Sequence, residues 1–583
     1  MPRYIRTVTD PEPDVPASGV SPPPGEGLSA SQDSKSGSNQ IDMDGISAKV
    51  RRQFELVPPI GTRWRWYDIP YRVLMWAMTG SRQRVFSWRM RRRLNKALNF
   101  FSTFNHYERL KVEPLDDPMH NLIVPDGERV TQGGVWVVEL FPPSRFEALR
   151  RSLERNGWDE EKAFHRSDGS NAEDVTKARR GRGFMWSRLG TVANPNSRYF
   201  AFDARREVLP PEVSLVELTA VQLGQSLTAV VAFFRLSEMG EQALNKVWTS
   251  QHEPWFKWRG LRRPDTEGRF FSGIRATQTE RMRIHDLARR WLADRCGGFF
   301  ASTPSGPPVI DLNLFDQFDP TAESDNRHSN HPRRALGLDG NFGHNYASPE
   351  MPGLVIVPTR SGGGPSDVLE NCWGVIGSLV RVNELAEDDQ GYGKKPYSPS
   401  TIGGMFDDPI RSFLLHLAIL HYTADLRSNL AEARDAAMGK HRKFSAKRID
   451  HLRSELLTTS LDLPVVARDS MTLWEDQWRR LDGVEVRGVP VPGHTHPHED
   501  FDLIDGLKDA CNQAFEELLA EDAAYREVLS TVASLGASAD ASRFGRRALI
   551  VAGASLVVAL ATVLVANTGD HTLWSDLIKW VKH

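Results

Sequence analysis

The sequence predicts an α+β cytoplasmic region followed by an antiparallel helical bundle and one C-terminal transmembrane helix. Three observations carry this. Between about residues 111 and 400, β-branched and aromatic runs alternate with amphipathic helical stretches. From Asp407 to about residue 535 the composition turns helical with short connections. Near the end, Ala548 to Ala566 reads ALIVAGASLVVALATVLVA, an uncharged run. As a helix that run would span roughly 28 Å, close to the ~30 Å hydrocarbon core of a bilayer.

The chain has 583 residues, with 73 Lys+Arg against 75 Asp+Glu and a formal net charge of −2. Hydrophobic residues make up 40%, and 45 Gly bring the apolar share near the globular norm of about 45–50%. This excludes a mainly disordered, collagen-like or multi-span chain. The 3 cysteines, Cys296, Cys372 and Cys511, are too few and too dispersed for a disulfide scaffold or a cysteine zinc cage.

Residues 1–50 are poor in large apolar side chains, and Pro16 to Gly45 is rich in Pro, Gly, Ser and Asp, so this tail is expected to be disordered. It lacks the apolar run of a secretory signal, which leaves the bulk of the chain in the compartment of synthesis. Residues 51–110 form a basic, aromatic, amphipathic helical segment, with a helix expected from about Tyr71 to Phe104. Between Gly61 and Lys96 it carries Arg82, Arg84, Arg89, Arg91, Arg92 and Arg93 interleaved with Trp64, Trp66, Trp76 and Trp88; Asp68 is its one acid. Arginines beside tryptophans suit an anionic membrane surface, or nucleic acid with bases stacked on the rings. The plainer reading is a helix whose aromatic face packs on its neighbour while the arginines are solvated.

In the α+β region, with a subdomain break expected near 300–350, Gly134–Phe141 is a strand. Ser144 and Glu147 have capping-box spacing, and Asn156–Gly157 stops the helix they would open. Ser197–Val208 reads as a strand, and Val213–Leu223 with Ser226–Leu236 as a hairpin about Gly224–Gln225, in preference to one buried helix. Thr277 to Asp294 is an amphipathic helix with Met282, His285, Ala288 and Trp291 on one side. Pro308–Phe315 and Gly353–Val357 are strands. After the glycine-rich Ser361–Asp367, a helix from about Asp367 would hold Cys372 as a small core residue, with no base indicated for it.

Residues 401–540 are assigned to the helical bundle, 546–567 to the transmembrane helix and 568–583 to a short amphipathic tail. Arg543, Arg546 and Arg547 stand on the flank that the positive-inside rule makes cytoplasmic. Just before the last long helix, His494, His496 and His498 precede Glu499 and Asp500. Imidazoles at alternate positions followed by Asp500 could ligate a divalent metal such as zinc, although the Pro/Gly setting fits an exposed polar loop better. In order of parts alone the chain resembles CorA-type divalent-cation channels. Those have two spans and a Gly-Met-Asn motif after the first; here Asn567-Thr568-Gly569 follows a single run, so no site carries over.

No complete catalytic signature is present. The leading expectation is a single-pass, C-terminally anchored protein of the cell (inner or plasma) membrane. Its large cytoplasmic region would bind the bilayer and a protein partner or a second copy of itself. The alternatives are a membrane-tethered enzyme, such as a metal-dependent hydrolase using the His494–Asp500 cluster, and a nucleic-acid-binding module using residues 61–96.

Overall fold

The structure is a computed structural model. It describes residues 43–159, 170–181, 186–197, 204–258, 264–322, 331–339, 344–360, 368–386, 394–439, 461–471, 484–490, 501–565, 567–568 and 571–572. The chain divides into two units, Met1–Pro58 and Pro59–His583. In the first, the described part is helix α1, Met43–Leu56. Residues 43–50, assigned above to a disordered tail, are therefore helical. Met43, Ile46, Val50 and Phe54 recur at helical spacing, which composition alone concealed.

The second unit opens with α2 (Asp68–Met78), a 3-10 turn (Gly80–Val85) and α3 (Trp88–Val112). The single helix expected from Tyr71 to Phe104 is thus broken. Ser87 caps α3, its hydroxyl accepting from the Met90 N–H at 3.3 Å, and fixes a new start. Strand β1 (Val130–Phe141) follows, then α4 (Phe146–Asn156), α5 (Asn171–Arg179), β2 (Trp186–Ala193) and β3 (Ala204–Arg206). Ser144 does not cap α4. Its hydroxyl and backbone N–H both donate to Asp462, and α4 begins later, after a 3-10 turn at Pro143–Arg145. Gly157 ends α4 as expected, in the left-handed region at φ +66°.

The expected hairpin is β4 (Val213–Leu223) and β5 (Leu227–Leu236), with Leu223 opposite Leu227 and Gly224 at φ +70° in the turn. After α6 (Glu238–Trp248), β6 (Trp255–Trp258) and β7 (Pro264–Glu267) comes α7 (Arg269–Arg295), longer than the periodicity implied. Next are β8 (Val309–Phe315), α8 (His331–Leu336), β9 (His344–Ala347), β10 (Leu354–Arg360) and β11 (Val368–Ser378). Cys372 therefore lies in a strand, not in the expected helix. The chain continues through α9 (Leu379–Leu385), α10 (Pro399–Met405), α11 (Asp407–Gly439), α12 (461–471), β12 (Arg487–Pro490) and α13 (Leu503–Val565) to the short pair β13 (Asn567–Thr568) and β14 (His571–Thr572).

Ten strands form one sheet in the order β12-β9-β10-β11-β8-β1-β5-β4-β2-β3, and β6–β7 and β13–β14 are separate pairs. Within the large sheet β8–β11 and β2–β3 run parallel; the other pairs are antiparallel. β8 lies near the middle of the sheet, and β12 extends its far edge from within the region assigned to the bundle.

The helices after residue 407 are not a free-standing bundle. Ile410, Phe413, Leu414, Leu417 and Ala418 of α11 share one apolar core with Trp136 and Leu140 of β1, Ile310 and Leu312 of β8, and Val375 of β11. Leu503, Ile504, Leu507, Cys511 and Phe515 of α13 join that same core. Trp136 is the pivot: its ring stacks on Phe233 at 4.4 Å and its Nε1–H donates to Asp407 at the start of α11, 2.7 Å. Helical composition is silent on whether a helix buries its stripe on helices or on a sheet; here it does both.

α13 is 63 residues long, roughly 95 Å at 1.5 Å per residue. Phe544–Val563, within it, is the one stretch among the described residues long and apolar enough to cross a membrane, with mean hydropathy 1.7 and none of it buried. Arg546 and Arg547 are exposed in its first turn, and Arg543, just before it, is helical. Residues 573–583 of the amphipathic tail lie outside the described residues.

Candidate functional site

Two places in the Pro59–His583 unit concentrate chemistry. The first is the surface of α2, the 3-10 turn and α3. On one side of α3, Phe100, Phe104 and Tyr107 pack on the β6–β7 pair, with Phe104–Phe256 centroids 5.4 Å apart and Phe100–Trp258 5.8 Å. Trp66 closes on Phe104 at 4.6 Å. This fulfils the packing half of the plain reading, and it leaves a large apolar remainder uncovered. Trp64 is 81% exposed, Trp76 63%, Val85 84% and Trp88 67%, and Val73 and Met90 join them.

Arg82, Arg84, Arg89, Arg92 and Arg93 are all exposed around these side chains, and Arg91 is half-buried. Arg82 lies 4.4 Å over the Trp76 ring and Arg92 5.6 Å over Trp88. Asp68 does not offset them at the surface. It is fully buried, accepts from the Gly61 N–H at 2.9 Å and from Arg65 Nε at 2.8 Å, and is consumed by these bonds. Burial pushes its carboxyl up, and the Arg65 and Gly61 donors outweigh that and hold it below the usual range. The exposed surface is therefore cationic and aromatic together.

The second place is internal. On the face of the sheet opposite α11, the apolar core is split into two clusters, one around Val137, Trp291 and Val309, the other around Phe315, Leu336 and Ile376. A polar seam runs between them. β8 contributes Asp311 and Asn313 at alternate positions, both fully buried, and β1 contributes Gln132, paired in register with Asn313. From α7, Arg281 and His285, one turn apart, point into the seam; Arg281 is 1% exposed and His285 0%. β11 supplies Cys372 and β10 supplies Thr359, also buried.

These groups converge. Arg281 donates to both Asp311 oxygens, at 2.8 and 2.6 Å, and to the carbonyls of Leu336 and Trp373 at 3.0 and 3.2 Å. Gly374 makes room for it, since a Cβ there would lie 2.8 Å from Arg281 Nη2. Gln132 Nε2–H donates to Asp311 Oδ2 at 3.0 Å. His285 Nε2 lies 3.1 Å from the same oxygen, off the line of a good hydrogen bond. On its other side His285 Nδ1 lies 3.4 Å from Cys372 Sγ, and Thr359 Oγ1 is also 3.4 Å from that sulfur. Asn313 is buried with neither end of its amide hydrogen-bonded.

The electrostatics follow from the order Arg–Asp–His–Cys. Burial alone would raise the Asp311 carboxyl; Arg281 and His285 overcome it and hold the carboxyl far below its ordinary range. Burial would lower the His285 imidazole; Cys372 and Asp311 overcome it and raise it. Burial would raise the Cys372 thiol; His285, then Arg281 and Arg289, bring it down to about 7. Among the described residues the other two thiols have no imidazole beside them, and at Cys296 burial and Glu139 outweigh the lowering by Arg155 and Ser152. Burial pushes Cys511 up to about 12 and Cys296 higher still.

No one element signals this constellation. Cys372, His285 and Asp311 come from three different elements, and His285 sits among the charged residues of an amphipathic helix. The readable sign was polar residues at positions facing the core: Asp311 and Asn313 alternate in VIDLNLF, and Arg281 and His285 share the inward face of α7. The sequence-derived metal ligands His494, His496, His498 and Asp500 lie outside the described residues, and among the described residues no group of His, Cys, Asp or Glu could hold a metal ion. Compared with known proteins, the chain matches no family model, no curated protein and no solved structure.

Proposed function

We propose that this protein is held in a cell membrane by Phe544–Val563, with its bulk on the cytoplasmic side. Its cationic, aromatic surface at residues 63–96 would engage the anionic headgroups of that leaflet. The observation that carries the reading is the exposure of two unlike apolar features in one unit. Large exposed apolar patches rimmed by polar residues mark protein or membrane interaction sites. A bare helix that is uncharged from Ala548 onward is satisfied by lipid, because its backbone is already hydrogen-bonded within itself. Trp76 and Trp88, each carrying an arginine on its face, suit the interface, where ring and charge are both accommodated. Each basic residue near a charged leaflet contributes about 1 kcal/mol. The large sheet domain then serves as the cytoplasmic binding region, for a protein partner or a second copy of the chain.

Two measurements on the full-length chain test the two parts separately. After alkaline carbonate extraction the protein should remain with the membrane pellet; release into the supernatant refutes the span. In nanodiscs, trypsin cleavage at Arg82–Arg93 should be slower with anionic than with zwitterionic lipid. Equal rates refute the surface contact and leave the anchor standing.

A further inference from the structure

We propose that Cys372 is a peroxide-reactive thiol, operated by His285 and Asp311 and reached from the cleft between α7 and β10–β11. The argument begins with what the seam costs. A sheet face covered by a helix is most simply filled with apolar side chains, as the α11 face is. Here an arginine, a carboxylate, an imidazole and a thiol are buried together, and each charged group must be neutralised by the next. Arg281 and Gln132 fix Asp311; Asp311 lies against His285 Nε2 and favours its charged form; His285 presents Nδ1 to Cys372 Sγ. That is the order in which a base is prepared for a nucleophile. A thiol that merely filled space would need no such chain: Cys511 is shifted by burial alone, and Cys296 has Arg155 and Ser152 nearby but no imidazole.

The cleft supplies the route. It has a volume of about 440 Å³ and is lined by Arg281, Thr359, Met282, Leu336 and Leu369 among others. Cys372 is fully buried and does not line the cleft; Thr359 and Arg281 belong to both the cleft wall and the seam, and the Thr359 hydroxyl, 3.4 Å from Sγ, links the sulfur to that wall. The Thr359 side chain must move aside to admit a molecule the size of hydrogen peroxide. The step balances within the named groups. The Cys372 thiolate attacks one peroxide oxygen, forming an S–O bond as the O–O bond breaks. The departing hydroxide takes the proton held on His285 and leaves as water. Sulfur is oxidised by two electrons to the sulfenic acid, and the peroxide is reduced by two.

The charged groups facing Sγ are His285, Arg281 and Arg289 from α7, with Asp311 behind His285 on β8 and Asp286 acting on Arg289. Three cationic positions stand nearest the sulfur, which favours the thiolate.

The test uses the full-length protein in detergent, exposed to hydrogen peroxide and trapped with dimedone, with the adduct measured at each cysteine by mass spectrometry. Cys372 should be trapped at least about tenfold faster than Cys296 and Cys511 at neutral pH. Its rate should fall as pH drops below about 7, the value to which its neighbours bring the thiol. His285→Asn should slow it by about tenfold or more. Trapping of all three cysteines at one common rate would mean access through unfolding and would overturn the proposal. So would a silent Cys372, or an unchanged rate in the His285→Asn protein. Should that variant fail to fold, the wild-type ratio between Cys372 and Cys296 decides alone.

Discussion

Replacing Arg281 with methionine removes the guanidinium from the seam while keeping most of its volume. In the native chain that group makes two bonds to Asp311 and two to backbone carbonyls, and both partners of the ion pair are sealed from water. The substitution leaves a buried carboxylate with Gln132 and His285 for company, and strips the carbonyls of Leu336 and Trp373. Removing one member of a buried pair costs about 3–5 kcal/mol, because the survivor stays charged in a medium that cannot solvate it. Native-state hydrogen exchange locates the loss. The amides of β8 and β11 should exchange roughly 10²–10⁴-fold faster where they open with the domain, as each ~1.4 kcal/mol is a factor of ten. The α11 face should change less, since its core contains none of these groups. A loss below about 1 kcal/mol, or one spread evenly over the sheet, would refute the claim that Arg281 neutralises Asp311.

Glu139 makes a pH prediction. It is fully buried; burial pushes its carboxyl up to about 8, against the backbone N–H donors of Phe300, Leu140, Ala301 and Gly298. Above about pH 4.5 the unfolded chain gives up this proton while the folded chain keeps it, so stability should fall as pH rises from there to about 8, by on the order of 4–5 kcal/mol, and be flat below. Urea denaturation across pH 5–8 should show that slope in the wild type and lose it in Glu139→Gln; equal slopes would refute the assignment. Gly224→Ala should cost about 2–4 kcal/mol, since a side chain there sits at φ +70° and its Cβ would lie 2.6 Å from Asp469 Cβ. Amide exchange at the β4–β5 turn reads it, and wild-type protection in the variant would contradict the packing described.

Much of the sheet was legible because its strands are continuous apolar runs bounded by turn residues. β1, β8, β10 and the β4–β5 hairpin follow from that pattern, and α7 from its 3.6-residue period. β11 was missed because Val368–Ser378 lacks strict alternation; buried on both faces, it carries core residues on each side, and a preceding glycine loop suggests a helix start as readily as a turn. Ser144 misled because a capping box is a local rule, and its hydroxyl goes instead to Asp462, 318 residues away. The cationic surface could be read from composition, since exposure is what an arginine-rich stretch predicts for itself. The seam could not, because burial brings Gln132, Arg281, His285, Asp311 and Cys372 together from four elements, and only the tertiary pairing of β8 with β1 and β11 sets the register.

Those same residues allow structure and reactivity to be separated. Had the seam been selected for stability alone, removing both charges of its strongest pair should harm the fold. Physical chemistry argues the reverse: the Coulombic gain of a buried pair barely repays the hydration both ions gave up, and apolar isosteres are often neutral or stabilising by about 1–4 kcal/mol. The double variant Arg281→Met/Asp311→Leu should therefore recover most of the stability lost in Arg281→Met, while His285 loses the carboxylate that favours its charged form. The Cys372 thiol should then titrate higher and trap peroxide more slowly in a protein as stable as the wild type. A double variant less stable than Arg281→Met, or one whose Cys372 reacts at the wild-type rate, would make the seam a structural staple and leave the thiol without its base.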